Sequence, residues 1–295
     1  CALPIYSKAR LDIFGNPVSP HDTWLSRMHL GEYAALLENA YAKCGNDTVL
    51  QHRVNKVRLS VLYAMLQQAK FYGTGDGGIF EKGNDGKWHV QAWIKSAVDQ
   101  FYSLCLQADV TSINENRFTP DLYFKMWQHI FENGMIDHLA LNASVTFQTP
   151  YSETYPAKGN ATLTDGTGGY EDYHYNWLGW QGNDMEVTVL LDSVKTFSSI
   201  SCNFLEDQKS WIFLPSSVSF YYSEDNKTFK PFEVVKGTTP SVSNAANIKS
   251  FGAAKKEFIK AKAIRVVAKN IKVCPSWHVG AGNPCWIFCD EVIVR

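Results

Sequence analysis

The residue pattern predicts two domains: an all-α helical bundle over residues 1–142 and an all-β antiparallel sandwich over residues 143–295. Three observations carry this. In the first half apolar residues recur every three or four positions. After about Leu141 they alternate every second position. The second half is also cut by loops rich in Gly, Pro and Asn. A chain of 295 residues, 45% hydrophobic, has enough apolar material for two cores.

The first predicted helix lies within Trp24–Cys44, where Leu30, Tyr33, Leu37, Ala40 and Cys44 share a face. "CGND" breaks it, and Asn46 or Asp47 caps the next helix. That helix carries Leu50, Val54, Val57, Val61, Met65, Ala69 and Tyr72 on one stripe and stops at "GTGDGG". A third runs from about Trp88 with Val90, Ile94, Ala97, Phe101, Leu104 and Ala108. A fourth opens at Thr119-Pro120, with Thr119 as cap and Pro120 in the first turn, and passes through Trp127 and Phe131 to "ENG". Short connections between such helices predict an antiparallel bundle.

Past the boundary at 141–148, alternation predicts strands at 185–192, 198–205, 218–223, 263–270 and 286–294, with "EDNKTF" as a turn. In the last strand it groups Glu291 with Ile287, Cys289 and Ile293 on one face. A carboxylate on such a face needs a partner. The stretch Thr149–Asn183 is long, irregular and rich in Tyr, Gly and Asp, which predicts a pinned or functional loop.

The charge balance is 28 basic against 29 acidic residues, net -1, with no basic stripe, which argues against nucleic acid as a partner. No stretch of eighteen apolar residues occurs, so no membrane-spanning helix is expected. The seven cysteines follow no disulfide framework. Cys1 has no polar tether after it and reads as the first residue of a fragment rather than as a lipoprotein cysteine.

The second half is similar to a known family. "ATLTDGTGG", "YNWLGWQGNDMEVTVLLDSVKTFSSISCNFL", "SVSFYYSEDNKTF", "AIRVVAKN" and the terminal "DEVIV" occur in the order of a discoidin-like domain, the galactose-binding-like jelly roll also called the coagulation-factor type C fold. The resemblance covers about residues 145–295. "LEDQKSWIFLPSSV" and "CPSWHVGAGNPCWIF" look like the version that ends large bacterial glycan-processing proteins, including family 20 hexosaminidases. In the first half, "LDIFGNPVSP", "LENAYA" and "RLSVLYAMLQQAKFYGTGDGGIF" resemble the helical segment after the catalytic-type barrel of a glycoside-hydrolase-like family of Bacteroidetes. These resemblances imply an exported bacterial protein, periplasmic or cell-surface. They also imply that the chain is the C-terminal part of a parent whose N-terminal barrel domain would be its partner. For the sandwich they imply a structural calcium ion held by Asp165 of the "DG" motif and Glu291 of the last strand, with Gly168 and Tyr170 nearby.

Sugars present an apolar ring face rimmed by hydroxyls, so a glycan site needs an aromatic platform and fixed polar partners. The candidates in or beside loops are Trp177, Trp180, Trp211, Trp277, His278 and Trp286, with Asp207, Gln208 and Asn283 as polar partners. For Trp180, Trp211 and Trp286 the alternative is a place in the core. The expected role is therefore a non-catalytic carbohydrate-binding region. Two alternatives stand beside it: a purely architectural domain pair that supports an absent barrel, and a glycosidase using Glu171-Asp172-Tyr173-His174. No helix–strand repeat places two carboxylates at the separation that a glycosidase requires. The spacing of Cys274, Cys285 and Cys289 does not suit zinc. Cys289 reads as core, while Cys274 and Cys285 form either a loop-closing disulfide or two free thiols.

Overall fold

Four helices follow their expected signals in the computed structural model, which describes residues 25–113 and 118–295. Cys1 and the "LDIFGNPVSP" segment lie outside the described residues. Helix α1 spans Arg27–Lys43 and α2 spans Thr48–Tyr72. The cap of α2 is Asp47, whose carboxylate accepts the Val49 and Leu50 N–H groups. Helix α3 spans Ala92–Gln107, and α4 spans Pro120–Asn133 behind its Thr119 cap. The core of this unit gathers Leu62, Leu66 and Ala69 of α2, Ile94, Val98, Phe101 and Leu104 of α3, and Tyr123, Trp127 and Ile130 of α4.

Two expectations fail here. The first half is not all-α, because β1 (Phe80–Lys82) pairs antiparallel with β2 (Trp88–Val90) between α2 and α3. Trp88 and Val90 therefore belong to a strand, and α3 starts only at Ala92. The turn between the strands carries Asp85-Gly86, a strong hairpin dipeptide, with Gly86 at φ 76°. The predicted stripe of α1 and α2 is also only partly buried. Leu30 is the sole buried residue of α1, and Leu50 and Val57 of α2 are exposed.

The chain divides into two units between Gly134 and Met135. Residues 135–142, which the change of period groups with the helices, are knit to the sheet unit. Ile136 N–H donates to Gly166 O, and Leu139 N–H donates to Val294 O.

The sheet unit contains β3 (Ser144–Phe147), β4 (Leu178–Gln181), β5 (Met185–Glu206), β6 (Ser217–Ser223), β7 (Lys230–Lys236), β8 (Asn247–Lys269) and β9 (Trp286–Val294). All pairings are antiparallel. Strands β5 and β8 are long partners with register irregularities at Leu190/Lys195 and Phe197/Ser199. The expected strands 185–192 and 198–205 are thus one strand that bends, since bulges let a ladder turn. The early part of β5 pairs with β3 and with the end of β8, which continues to β6 and β7. The late part of β5 pairs with the start of β8 and with β9, which continues to β4. Both parts bury side chains in one core, including Val187 and Val189 from the first and Phe197, Cys202 and Phe204 from the second.

Strand β9 also departs from simple alternation. Cys202 opposes Val292 and Phe204 opposes Cys289, so Asn203 faces both Asp290 and Glu291. This bulge shifts the phase. Ile287 and Cys289 enter the core, and after the bulge Val292 and Val294 enter it in place of Ile293. Glu291 therefore does not share a core face with Ile293.

The bulge is testable by truncation. Val292→Ala is expected to cost roughly 1–3 kcal/mol of unfolding free energy, and Ile293→Ala clearly less, in denaturant titrations of the two variants. The reverse order contradicts the register.

Candidate functional site

Two clusters stand out on the sheet unit. The first is built by the 207–211 turn and the 274–285 loop. Trp211 ends the turn Gln208–Ser210 at φ 64°, a left-handed conformation that is costly for a bulky residue. It is held there because its N–H donates to Gln208 O and its carbonyl accepts Trp286 N–H. Trp211 is half-buried against Phe213, Cys274 and Cys285.

His278 fastens the loop to this turn. Its Nε2 lies 2.8 Å from Gln208 O, and its Nδ1 accepts Gly280 N–H at 3.0 Å. That pattern places the proton on Nε2 and occupies both nitrogens. His278 is thus a positioning residue, not a free ligand partner. Trp277 beside it is 42% exposed, with Phe213 and His278 edge-on to its ring at 6.2 and 5.9 Å. Asn283 is exposed, and its Nδ2 donates to Gly280 O. Asp207 accepts Ser210 Oγ at 2.6 Å. Gln208 is buried and binds Glu206, Ser241 O and Ser243 N–H, so its amide braces the neighbouring loop.

Trp180 requires a correction. It is 1% exposed, sits in the main core and donates its Nε1–H to Thr149 O. A ring buried on both faces offers neither to a sugar. Trp177 is buried likewise, and its Nε1–H donates to Tyr170 O. Cys274 and Cys285 are buried free thiols. Cys274 N–H to Asn283 O and Cys285 N–H to Lys272 O close the loop between them. Burial pushes the Cys285 thiol up to about 12. Cys289 lies in the core as expected.

The long loop supplies a second aromatic group that spacing did not single out. Tyr155 meets Trp286, Phe288 and Tyr173 edge-on at 5.1–5.6 Å, and Tyr173 stacks on His174 at 4.2 Å. His174 Nδ1 is 2.7 Å from Asp172 Oδ1, and this hydrogen bond raises the imidazole's pKa. The 171–174 segment thus presents an exposed ion pair.

The second cluster is acidic and buried. The bulge turns Asp290 and Glu291 toward the 165–169 loop. Gly166 N–H donates to both Glu291 oxygens at 3.2 Å, and His138 Nε2 lies 2.8 Å from Oε1. Gly169 N–H donates to Asp290 Oδ2, while the Trp177 ring against Gly169 leaves no room for a Cβ. Asp165 accepts Lys158 Nζ at 2.5 Å on Oδ2, and Thr167 N–H and Oγ1 on Oδ1. Burial raises both Asp290, to about 7, and Glu291, and the charge of Asp165 adds to both. Burial lowers His138 to about 4.

Asp165 and Glu291 do come together, as the resemblance implies, but they do not fit a calcium ion. Calcium needs six to eight oxygens, and all four oxygens of these two carboxylates already accept hydrogen bonds from protein groups. Among the described residues no group of three or more His, Cys, Asp or Glu side chains is arranged to hold a metal. Asp290 Oδ1 is the one carboxylate oxygen of the cluster left buried without a partner.

The raised Asp290 gives a signed pH dependence. A carboxyl raised in the folded state stabilises most below the unfolded value near 4, and that stabilisation is lost as pH rises through about 7. Glu291 acts in the same direction, while His138, lowered, acts oppositely below about 6.5. Comparison with Asp290→Asn isolates the one group. Relative to wild type, the variant is expected to gain on the order of 4 kcal/mol between pH 4 and pH 7, read from denaturant titrations at each pH. A constant difference contradicts the burial of this carboxylate.

No protein-family model and no curated protein matches the chain. Among solved structures it is similar to the family 32 carbohydrate-binding module from Streptococcus pneumoniae EndoD, at 13% identity and TM-score 0.40, over 54% of this chain and 99% of that one. It is similar also to CpGH89CBM32-5 from Clostridium perfringens, solved in complex with GalNAc-β-1,3-galactose, at 14% identity and TM-score 0.35, over 54% and 99%. SpGH29 is similar at 14% identity and TM-score 0.34, over 74% of this chain and 41% of that one.

Proposed function

We propose that the sheet unit is a carbohydrate-binding domain of the galactose-binding-like jelly-roll type, with Trp277 as its platform. One observation carries this. Trp277 is a large aromatic, 42% exposed, on a loop braced by backbone hydrogen bonds from His278, Ala281, Gly282 and Asn283, and Asn283 lies in the same loop. A rigid aromatic binds a sugar ring face with little loss of conformational freedom. Binding at one such site is weak, and repeated domains or ligands raise it by avidity. In the same reading the chain is the C-terminal part of an exported bacterial glycoside-hydrolase-like protein, periplasmic or cell-surface. The support is its motif resemblance.

A second reading has its own support. Met28, Leu36, Val49, Leu50 and Val57 leave apolar surface exposed on α1 and α2. Exposed apolar side chains of this kind are what a neighbouring domain could cover. In this architectural reading that domain is the parent's N-terminal barrel.

A glycan array with titration of the strongest ligand separates the two. Trp277→Ala is expected to weaken that ligand about tenfold, the loss of roughly 1.4 kcal/mol of stacking, with the melting temperature unchanged. An array on which the wild-type chain binds nothing removes the carbohydrate reading.

A further inference from the structure

We propose that the Lys158 ammonium is the resident cation of the loop to which the resemblance assigns calcium, and that the sheet unit folds without a metal ion. This inference is independent of the glycan reading.

Asp165, Asp290 and Glu291 come from two segments far apart in sequence; Asp290 and Glu291 are fully buried and the Asp165 side chain is 12% exposed. The charge of Asp165 disfavours ionisation of both others, and the charge of Lys158 favours that of Glu291. Acids gathered this way need a cation or must take up protons.

Lys158 is placed to be that cation. It precedes the short turn Gly159–Thr164, and Asp165 follows it, so the turn brings the two side chains together. Nζ lies 2.5 Å from Asp165 Oδ2 and 2.9 Å from Thr167 Oγ1. The side chains of Lys158 and Asp165 are only 13% and 12% exposed. An ammonium is a compact point charge with three donors, and two of them are in use here.

The connectivity is also that of a metal clip. Lys158 holds Asp165 and Thr167, and Gly166 between them donates to both oxygens of Glu291. The start of the loop is thereby joined to the last strand, the link that a shared ion would otherwise make. His138 occupies the remaining approach to Glu291 Oε1.

The test uses the full chain, stripped with a chelator and then titrated with calcium while thermal unfolding is followed. With about 10 mM calcium, above the dissociation constants of extracellular calcium modules, no rise in melting temperature is expected. A clear rise, or calcium that stays with the protein through dialysis at one equivalent, overturns the proposal. Lys158→Met is expected to lower the melting temperature by roughly 5–10 °C, and Lys158→Arg by less. A Lys158→Met protein as stable as wild type also overturns it. If Lys158→Met gives no folded protein, the wild-type titration still decides.

Discussion

Two consecutive carboxylates in the last, buried strand are the constraint around which the sheet unit is arranged. An unbroken strand would send one of Asp290 and Glu291 into the core. The bulge opposite Asn203 avoids this and turns both toward the 165–169 loop. Each carboxylate is then met by a backbone N–H, from Gly169 and Gly166, with His138 and the charge of Lys158 completing the surroundings of Glu291. A buried polar group without a hydrogen-bond partner is costly in low dielectric, so these hydrogen bonds fix the loop's path.

That path has consequences at a distance from the acids. The same loop carries Trp177 into the core against Gly169 and sets Tyr155 and Tyr173 against Trp286 and Phe288 of β9. Trp286 N–H in turn binds Trp211 O, and Trp211 belongs to the turn that His278 grips. The exposed Trp277 is thus the end of a chain of rigid contacts that starts at the acid cluster.

Much of the fold was legible from local chemistry. Thr119-Pro120 and Asp47 declare helix starts because capping is decided within four residues. The hairpin of β1 and β2 was equally local, and Asp85-Gly86 could have announced it; a helical period laid across Trp88 and Val90 hid it. The bulge could not be read, since alternation counts residues and not their partners. Choosing which tryptophans stay exposed fails for the same reason: Trp180 and Trp277 differ by what packs on them, not by their flanking residues. Asp165 was legible only through resemblance, whereas alternation alone marks Glu291 as a carboxylate in need of a partner. His138 and Lys158 carried no spacing signal, because their partners are set by the tertiary path.

Buried carboxylates, held by the protein's own groups, pin this loop. Amide hydrogen exchange at Gly166 and Gly169, followed by NMR on the full chain, reads that pinning. These amides donate to Glu291 and Asp290 in a segment without regular structure. Exchange as slow as that of the β5 and β9 core amides, opening only with the sheet unit as a whole, is expected. Exchange as fast as that of the exposed 171–174 segment contradicts it.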